Sequence, residues 1–153
     1  MNVRIEQLSI RDAGTVFDWV VRLLRELGEE GDELGELARE HVLEKWRDRK
    51  HMYYVLAAKD ETGNMVGILT LSVAFAIYAN GDYGVIDEMY VTPEYRSARI
   101  GALLVDEAIR IGRDHGWTRI DVTAPESERW ERTRKFYERM GFAFTGPKLK
   151  LLL

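Results

Sequence analysis

The sequence predicts an α/β fold whose sheet is largely antiparallel and contains one parallel strand pair. Three observations predict it. Hydrophobic spacing alternates between the helical and the two-residue period, in the order β-α-α-β-β-β-α-β-α-β-β. Turn signals join the strands between residues 52 and 91 directly, which makes hairpins. A long amphipathic helix separates a strand at 84–91 from one at 118–124, and such a crossover pairs its two strands in parallel.

Each element has its own signal. Residues 2–8 alternate through Val3 and Ile5 as a first strand. Ser9 to Asp12 resembles a capping box, with Asp at its fourth position. Ala13, Val16, Phe17, Val20, Leu24 and Leu27 follow at helical spacing until Gly28 and Gly31. A second helix is expected over 32–49, with Leu34, Leu37, Ala38, His41, Val42, Lys45 and Trp46 on its packed stripe. Strands are expected at 52–59, 65–76 and 84–91, with turns at 60–64 and 78–83. The helix at 99–115 places Ile100, Leu103, Leu104, Ala108 and Ile111 on one face, and Gly116 stops it. A strand at 118–124, a helix at 127–140 and two short strands at 141–145 and 148–152 complete the chain.

Composition narrows the function. The 153 residues suit a single domain over 1–153, with 46% hydrophobic residues to build its core. The net charge of -4 argues against a general nucleic-acid binder. The absence of cysteine removes disulfides, thiolate nucleophiles and cysteine-ligated zinc. His41, His51 and His115 have no metal-site spacing, so no metal is expected. The opening residues carry Arg4, Glu6 and Arg11 rather than a signal peptide's apolar run, and no stretch is long and apolar enough to span a membrane. A soluble, cytoplasmic protein with no membrane partner is expected.

The segment 85–104, VIDEMYVTPEYRSARIGALL, carries the most chemistry. A strand runs into a short turn that opens a helix. A helix start offers unpaired N–H groups and a positive dipole end, which suits a phosphate. Gly101 lets the backbone come close, and Arg96 and Arg99 add positive charge. This stretch resembles the acetyl-CoA diphosphate loop of the GNAT superfamily of N-acetyltransferases, Arg/Gln-x-x-Gly-x-Gly/Ala, with Arg96 at its first position and Gly101 at its last. Arg99 stands where that family usually has glycine. The segment Phe136 to Phe142, FYERMGF, resembles the family's Phe-Tyr-x-x-x-Gly-Phe signature, and Trp130 stands where the family often has asparagine. The resemblance covers most of residues 52–145.

The resemblance implies a GNAT fold of about seven strands and four helices, splayed to take acetyl-CoA as co-substrate. It implies contacts to CoA from Met89, Tyr90, Val91, Arg96, Ser97, Ala98, Arg99, Ile100, Gly101, Ala102, Trp130 and Thr133. Tyr137 would protonate the departing CoA sulfur, which suits a phenol with a pKa of about 10. Asp87 and Glu88 are equal candidates for the base, and strand alternation ordinarily turns only one of them toward the cleft. The backbone N–H near Met89 would polarise the thioester carbonyl. Transfer to a primary amine by direct attack is expected, with a small cationic acceptor favoured. The alternatives are a GNAT-fold module that binds acyl-CoA without turnover and a structural protein that has lost CoA.

The run Glu29, Glu30, Asp32, Glu33, Glu36 reads either as a solvated loop and helix start or as an acidic rim that recruits the amine. Trp19, Trp46, Tyr78 and Tyr83 read either as walls of that pocket or as core. The apolar end at Leu149, Leu151, Leu152 and Leu153 suits a paired edge in a homodimer or an internal strand.

Overall fold

A computed structural model describes residues 2–28, 37–96, 99–124 and 128–153, with only the backbone of Arg129. Strand β1, Arg4–Leu8, ends at Ser9, whose hydroxyl accepts from the Arg11 N–H at 3.3 Å. The Asp12 carboxylate accepts from the Ser9 N–H at 3.0 Å, so the expected capping box is formed. Helix α1, Ala13–Leu27, buries Ala13, Val16, Phe17, Trp19 and Val20 and stops at Gly28, where φ is 62°. Helix α2 spans Arg39–Arg47, and residues 29–36 of the expected second helix and its approach lie outside the described residues.

Strands β2, Tyr53–Lys59, and β3, Met65–Ala76, form a hairpin. Asp60 holds its turn, accepting from the Thr62 N–H, the Thr62 hydroxyl and the Asn64 N–H at 2.9, 2.7 and 3.0 Å. A short 3-10 turn, Ile77–Ala79, and Asn80 in the left-handed region lead into β4, Gly81–Val91. Helix α3, Ile100–Asp114, β5, Ile120–Val122, and α4, Glu131–Arg139, follow.

The sheet order is β1-β2-β3-β4-β5. Its first three pairings are antiparallel and β4–β5 is parallel, as the crossover predicts. Strand β3 lies centrally, which explains its near-continuous apolar run. Leu69 and Leu71 face the core built with Ile100, Leu104, Val105, Ala108, Ile111 and Tyr137. Ile68 faces the other core, with Val16, Trp19 and Val20 of α1.

Five strands are formed among the described residues, where the sequence predicts about seven. Residues 142–153 carry no regular structure, and Phe144, Leu149 and Leu151 are exposed. Apolar alternation makes a strand only where a partner edge supplies hydrogen bonds, and Pro147 has no N–H to give. Strand β5 is also shorter than expected: the Thr118 hydroxyl is tied instead to the Ala79 carbonyl at 2.7 Å. Four side chains depart from their expected faces: Ala38, His41, Lys45 and Leu103 are exposed. His41 is exposed, because α2 packs through Val42, Leu43 and Trp46, whose ring meets Phe17 at 6.3 Å and Tyr53 at 5.4 Å. Leu103 is 41% exposed, because the buried face of α3 turns through Leu104, Val105 and Ala108.

Trp117 fills the seam between α3 and β4. A Cβ on Gly84 would lie 2.6 Å from its Cζ3, and one on Gly112 would lie 3.0 Å from its Cε3. Both glycines are required by that close approach. Gly84→Ala is expected to destabilise the fold by about 1–2 kcal/mol through overpacking. Gly14→Ala, in α1 with nothing within 4 Å of the new methyl, should instead stabilise it by about 0.5–1 kcal/mol. Chemical denaturation of both variants checks the pair, and an unchanged Gly84→Ala midpoint would remove the steric argument.

Candidate active site

The site is built on the end of β4 that β5 does not reach. Pairing with β5 covers only Gly84, Val85 and Ile86. Beyond Ile86, the β5 side of β4 has no strand partner among the described residues. On the other side, Thr70 of β3 pairs with Glu88 and Leu71 with Ile86, which leaves Asp87 as an extra, bulged residue.

The bulge changes which side chains share a face. Strand alternation predicts that Asp87 and Glu88 point oppositely. Instead, Ile86 and Met89 both pack on the α3 side of the sheet. Glu88 meets Thr70, and Asp87 meets the hydroxyl of Ser72, two residues further along β3. Residues two apart on a strand share a face, so both carboxylates lie on the α1 side. The Thr70 hydroxyl donates to Glu88 Oε1, and the Glu88 N–H donates back to Thr70 Oγ1 at 3.0 Å.

Burial raises the Glu88 carboxyl above its ordinary range; the Thr70 hydrogen bond opposes this and the charge of Asp87 adds to it. Asp87, whose surface is open to water, is also raised by the surrounding protein, against the Ser72 hydroxyl and the charge of Lys148. Tyr53 lies on the same face, and burial, then the charge of Glu88, push its phenol up. Sequence reasoning missed Thr70 and Tyr53. The available signal was Thr70 itself, the one polar residue in the apolar run 65–71.

Tyr137 stands on the opposite face, one strand position away. Its ring packs edge-on against Phe136 at 5.2 Å and Phe142 at 5.5 Å, and its hydroxyl lies 4.0 Å from Met89 Sδ. It is only 6% exposed, and burial raises its phenol, so it stays protonated at neutral pH. Two carboxyl groups and a protonated phenol thus flank the open stretch of β4 from its two sides.

The loop after β4 is anchored rather than free. Arg96 donates to the Val91 carbonyl at 3.0 Å and to Glu26 of α1 at 2.6 Å, and its guanidinium lies 5.4 Å from the Tyr90 ring. Arg99 has φ 63° and ψ 20°, the left-handed region that favours glycine, directly before α3. Arg99→Gly is expected to raise stability by about 0.5–1 kcal/mol, because relief of the left-handed strain exceeds glycine's extra chain entropy. Thermal melting checks this, and a lowered midpoint would contradict it.

Ile100 is fully buried, so only its backbone is available at the helix start. Gly101 sits against Phe136, where a Cβ would come within 3.2 Å of Cζ. Ala102, Met89, Tyr90, Val91, Trp130 and Thr133 are half-buried. Ser97 and Ala98 lie outside the described residues, as does the acidic run at Glu29, Glu30, Asp32, Glu33 and Glu36. Of the four aromatic side chains considered for a pocket wall, Trp19 is core, Trp46 and Tyr83 are half-buried and Tyr78 is exposed. A depression of about 400 Å³ lined by Val3, Arg4, Asp60, Glu61 and Leu103 lies at the β2–β3 turn and includes none of the acid–base candidates. Among the described residues no cluster of His, Asp or Glu could hold a metal ion, and no helix is long and apolar enough to cross a membrane.

The model of the acetyltransferase (GNAT) family matches residues 17–142. An aminoglycoside acetyltransferase from an uncultured soil metagenomic sample has the same fold with a TM-score of 0.82 at 17% identity, covering 100% of this chain and 99% of that one. A predicted acetyltransferase from Clostridium acetobutylicum, whose crystal structure is with acetyl-CoA, gives 0.81 at 16% identity over 99% and 96%. A ribosomal-protein-alanine N-acetyltransferase from Brucella melitensis biovar Abortus 2308 gives 0.75 at 21% identity over 99% of both chains. At these identities the likeness speaks for the fold and not for the acceptor.

Proposed function

Because the chain belongs to the acetyltransferase (GNAT) family, whose enzymes depend on acetyl-CoA, we propose that it transfers the acetyl group to the amine of a small cationic acceptor by direct attack. The observation that carries this reading is the bulge at Asp87, which sets two carboxylates side by side at the open stretch of β4. Acetyl-CoA supplies the activated acyl group as a thioester. The first turn of α3 offers the unpaired N–H groups and positive dipole end that suit its diphosphate, and Gly101 and Ala102 contribute backbone there. Arg96, held by Glu26 and Val91, shapes the loop that leads into this turn.

Asp87 and Glu88 give the α1 side of the site the charge to draw an ammonium group. An amine attacks only as its neutral form, so a proton must leave first. Glu88 is the residue we assign to accept it, because its carboxylate is enclosed and oriented while that of Asp87 faces water. Tyr137, on the other face, holds the proton that the departing sulfur takes. No side chain need carry the acetyl group, and the chain has no cysteine to do so.

The deciding experiment is a calorimetric titration with acetyl-CoA, followed by measurement of CoA release with a panel of polyamines, aminoglycosides, lysine derivatives and peptides. Binding in the micromolar range and turnover of a small polycation are expected. Binding with no turnover of any amine would turn the reading to an acyl-CoA-binding module, and no binding would leave a structural role.

A further inference from the structure

The hydroxyl of Thr70 is fully buried and bonded twice to Glu88. A hydroxyl has one proton to give and two lone pairs to accept with. Thr70 gives its proton to Glu88 Oε1 and accepts the Glu88 N–H at 3.0 Å. Tyr53 lies diagonal to it, since Tyr53 pairs with Ser72 and Val55 pairs with Thr70. The Thr70 hydroxyl bears on the Tyr53 phenol in the sense that lowers its pKa, against the larger effect of burial.

We propose that Thr70 is a positioning residue for acetyl transfer, whose hydroxyl holds the Glu88 carboxylate in the orientation in which it takes the amine proton. This rests on the reading of Glu88 as the base. The bulge explains why such a device is needed. It displaces Asp87 from the ladder and leaves the Glu88 N–H to a side-chain partner, so neither the backbone nor the carboxylate of Glu88 is fixed by strand pairing alone. One oxygen fixes both. Ser72, two residues along β3, bears on the Asp87 carboxylate alone. A proton acceptor works only within hydrogen-bond reach of its donor, and a carboxylate free to rotate would spend much of its time elsewhere.

The charged and titratable groups around Glu88 are Asp87 beside it, Tyr90 on the same strand face and Tyr53 on β2. Lys148 of the C-terminal segment acts on Asp87. From α1, Arg22 lies over the Trp19 ring at 4.5 Å and Glu26 bonds Arg96, while α2 presents Trp46 to Tyr53.

The test is the pH profile of kcat/KM for wild type, Thr70→Val, Thr70→Ala, Thr70→Ser and Glu88→Gln, with acetyl-CoA affinity measured for each. Thr70→Val should lose roughly 10-fold at neutral pH. Its acid limb should move to higher pH, because the lost hydrogen bond favours the carboxylate form. Thr70→Ser should keep the wild-type profile, and acetyl-CoA affinity should hold throughout. A loss without movement of the limb, or equal loss in Thr70→Ser, would reduce Thr70 to packing and overturn the proposal. Should Thr70→Val fail to fold, Thr70→Ala decides, since it removes the same hydroxyl and should move the limb in the same direction. An unmoved limb in Thr70→Ala would then overturn it. Full activity in Glu88→Gln would remove the base assignment itself, whereas an inactive Glu88→Gln beside a normal Thr70→Val would remove the positioning role alone.

Discussion

Glu88→Gln is expected to lower kcat by about 10²–10⁴-fold and leave acetyl-CoA affinity unchanged. Glutamine keeps the shape and can still accept from the Thr70 hydroxyl, but it cannot take a proton. The wild-type rate should fall as pH drops through the raised Glu88 value, because only the carboxylate works as a base. Stability should move the other way. Glu88 titrates higher in the folded protein than its ordinary value of 4.5. Between those two values the folded state binds more protons than the unfolded state, so stability falls as pH rises through that window and stays lower above it. Glu88→Gln removes that penalty. It should therefore be the less active and, at neutral pH, the more stable protein. Steady-state kinetics with denaturant unfolding at pH 7 reads both effects. If Asp87→Asn carries the kinetic loss and Glu88→Gln does not, the base lies one residue earlier.

Tyr137→Phe should cost about 10²-fold in kcat with little change in CoA affinity. The phenol is buried, and its nearest polar neighbour is the weakly accepting Met89 sulfur at 4.0 Å. Removing the hydroxyl therefore breaks little structure, and the aromatic contacts to Phe136 and Phe142 remain. A proton needed only as the thiolate leaves belongs to kcat rather than to binding. Parallel loss of kcat and CoA affinity would make Tyr137 a packing residue instead of an acid.

Residues 65–76 were readable as a strand to the residue, and Ser9 with Asp12 as a cap, because both signals are local: a turn at Asp60, an apolar run, a hydroxyl before a helix. The parallel pair followed from the crossover rule. The bulge at Asp87 had no such signal. It arises from how β4 pairs with β3, and a one-residue slip is invisible in either strand read alone. It also decides the electrostatics of the site, so the shared face of Asp87 and Glu88 had to be seen rather than inferred. Leu149 and Leu151 failed in the opposite way: their alternation is local and clear, but strand formation depends on an edge they do not reach. For the same reason Thr70 stood out as an oddity in an apolar run without disclosing its partner.

Gly101 and Phe136 belong to stretches far apart in the chain, yet they touch. An alanine at 101 would press its methyl to 3.2 Å from Phe136 Cζ, so the ring would have to yield by a few tenths of an ångström. That ring lies edge-on to Tyr137, its neighbour. The turn that opens α3 and the aromatic pair on α4 therefore form one wedge. Bulk added at 101 is thus felt at Tyr137 through the Phe136 ring.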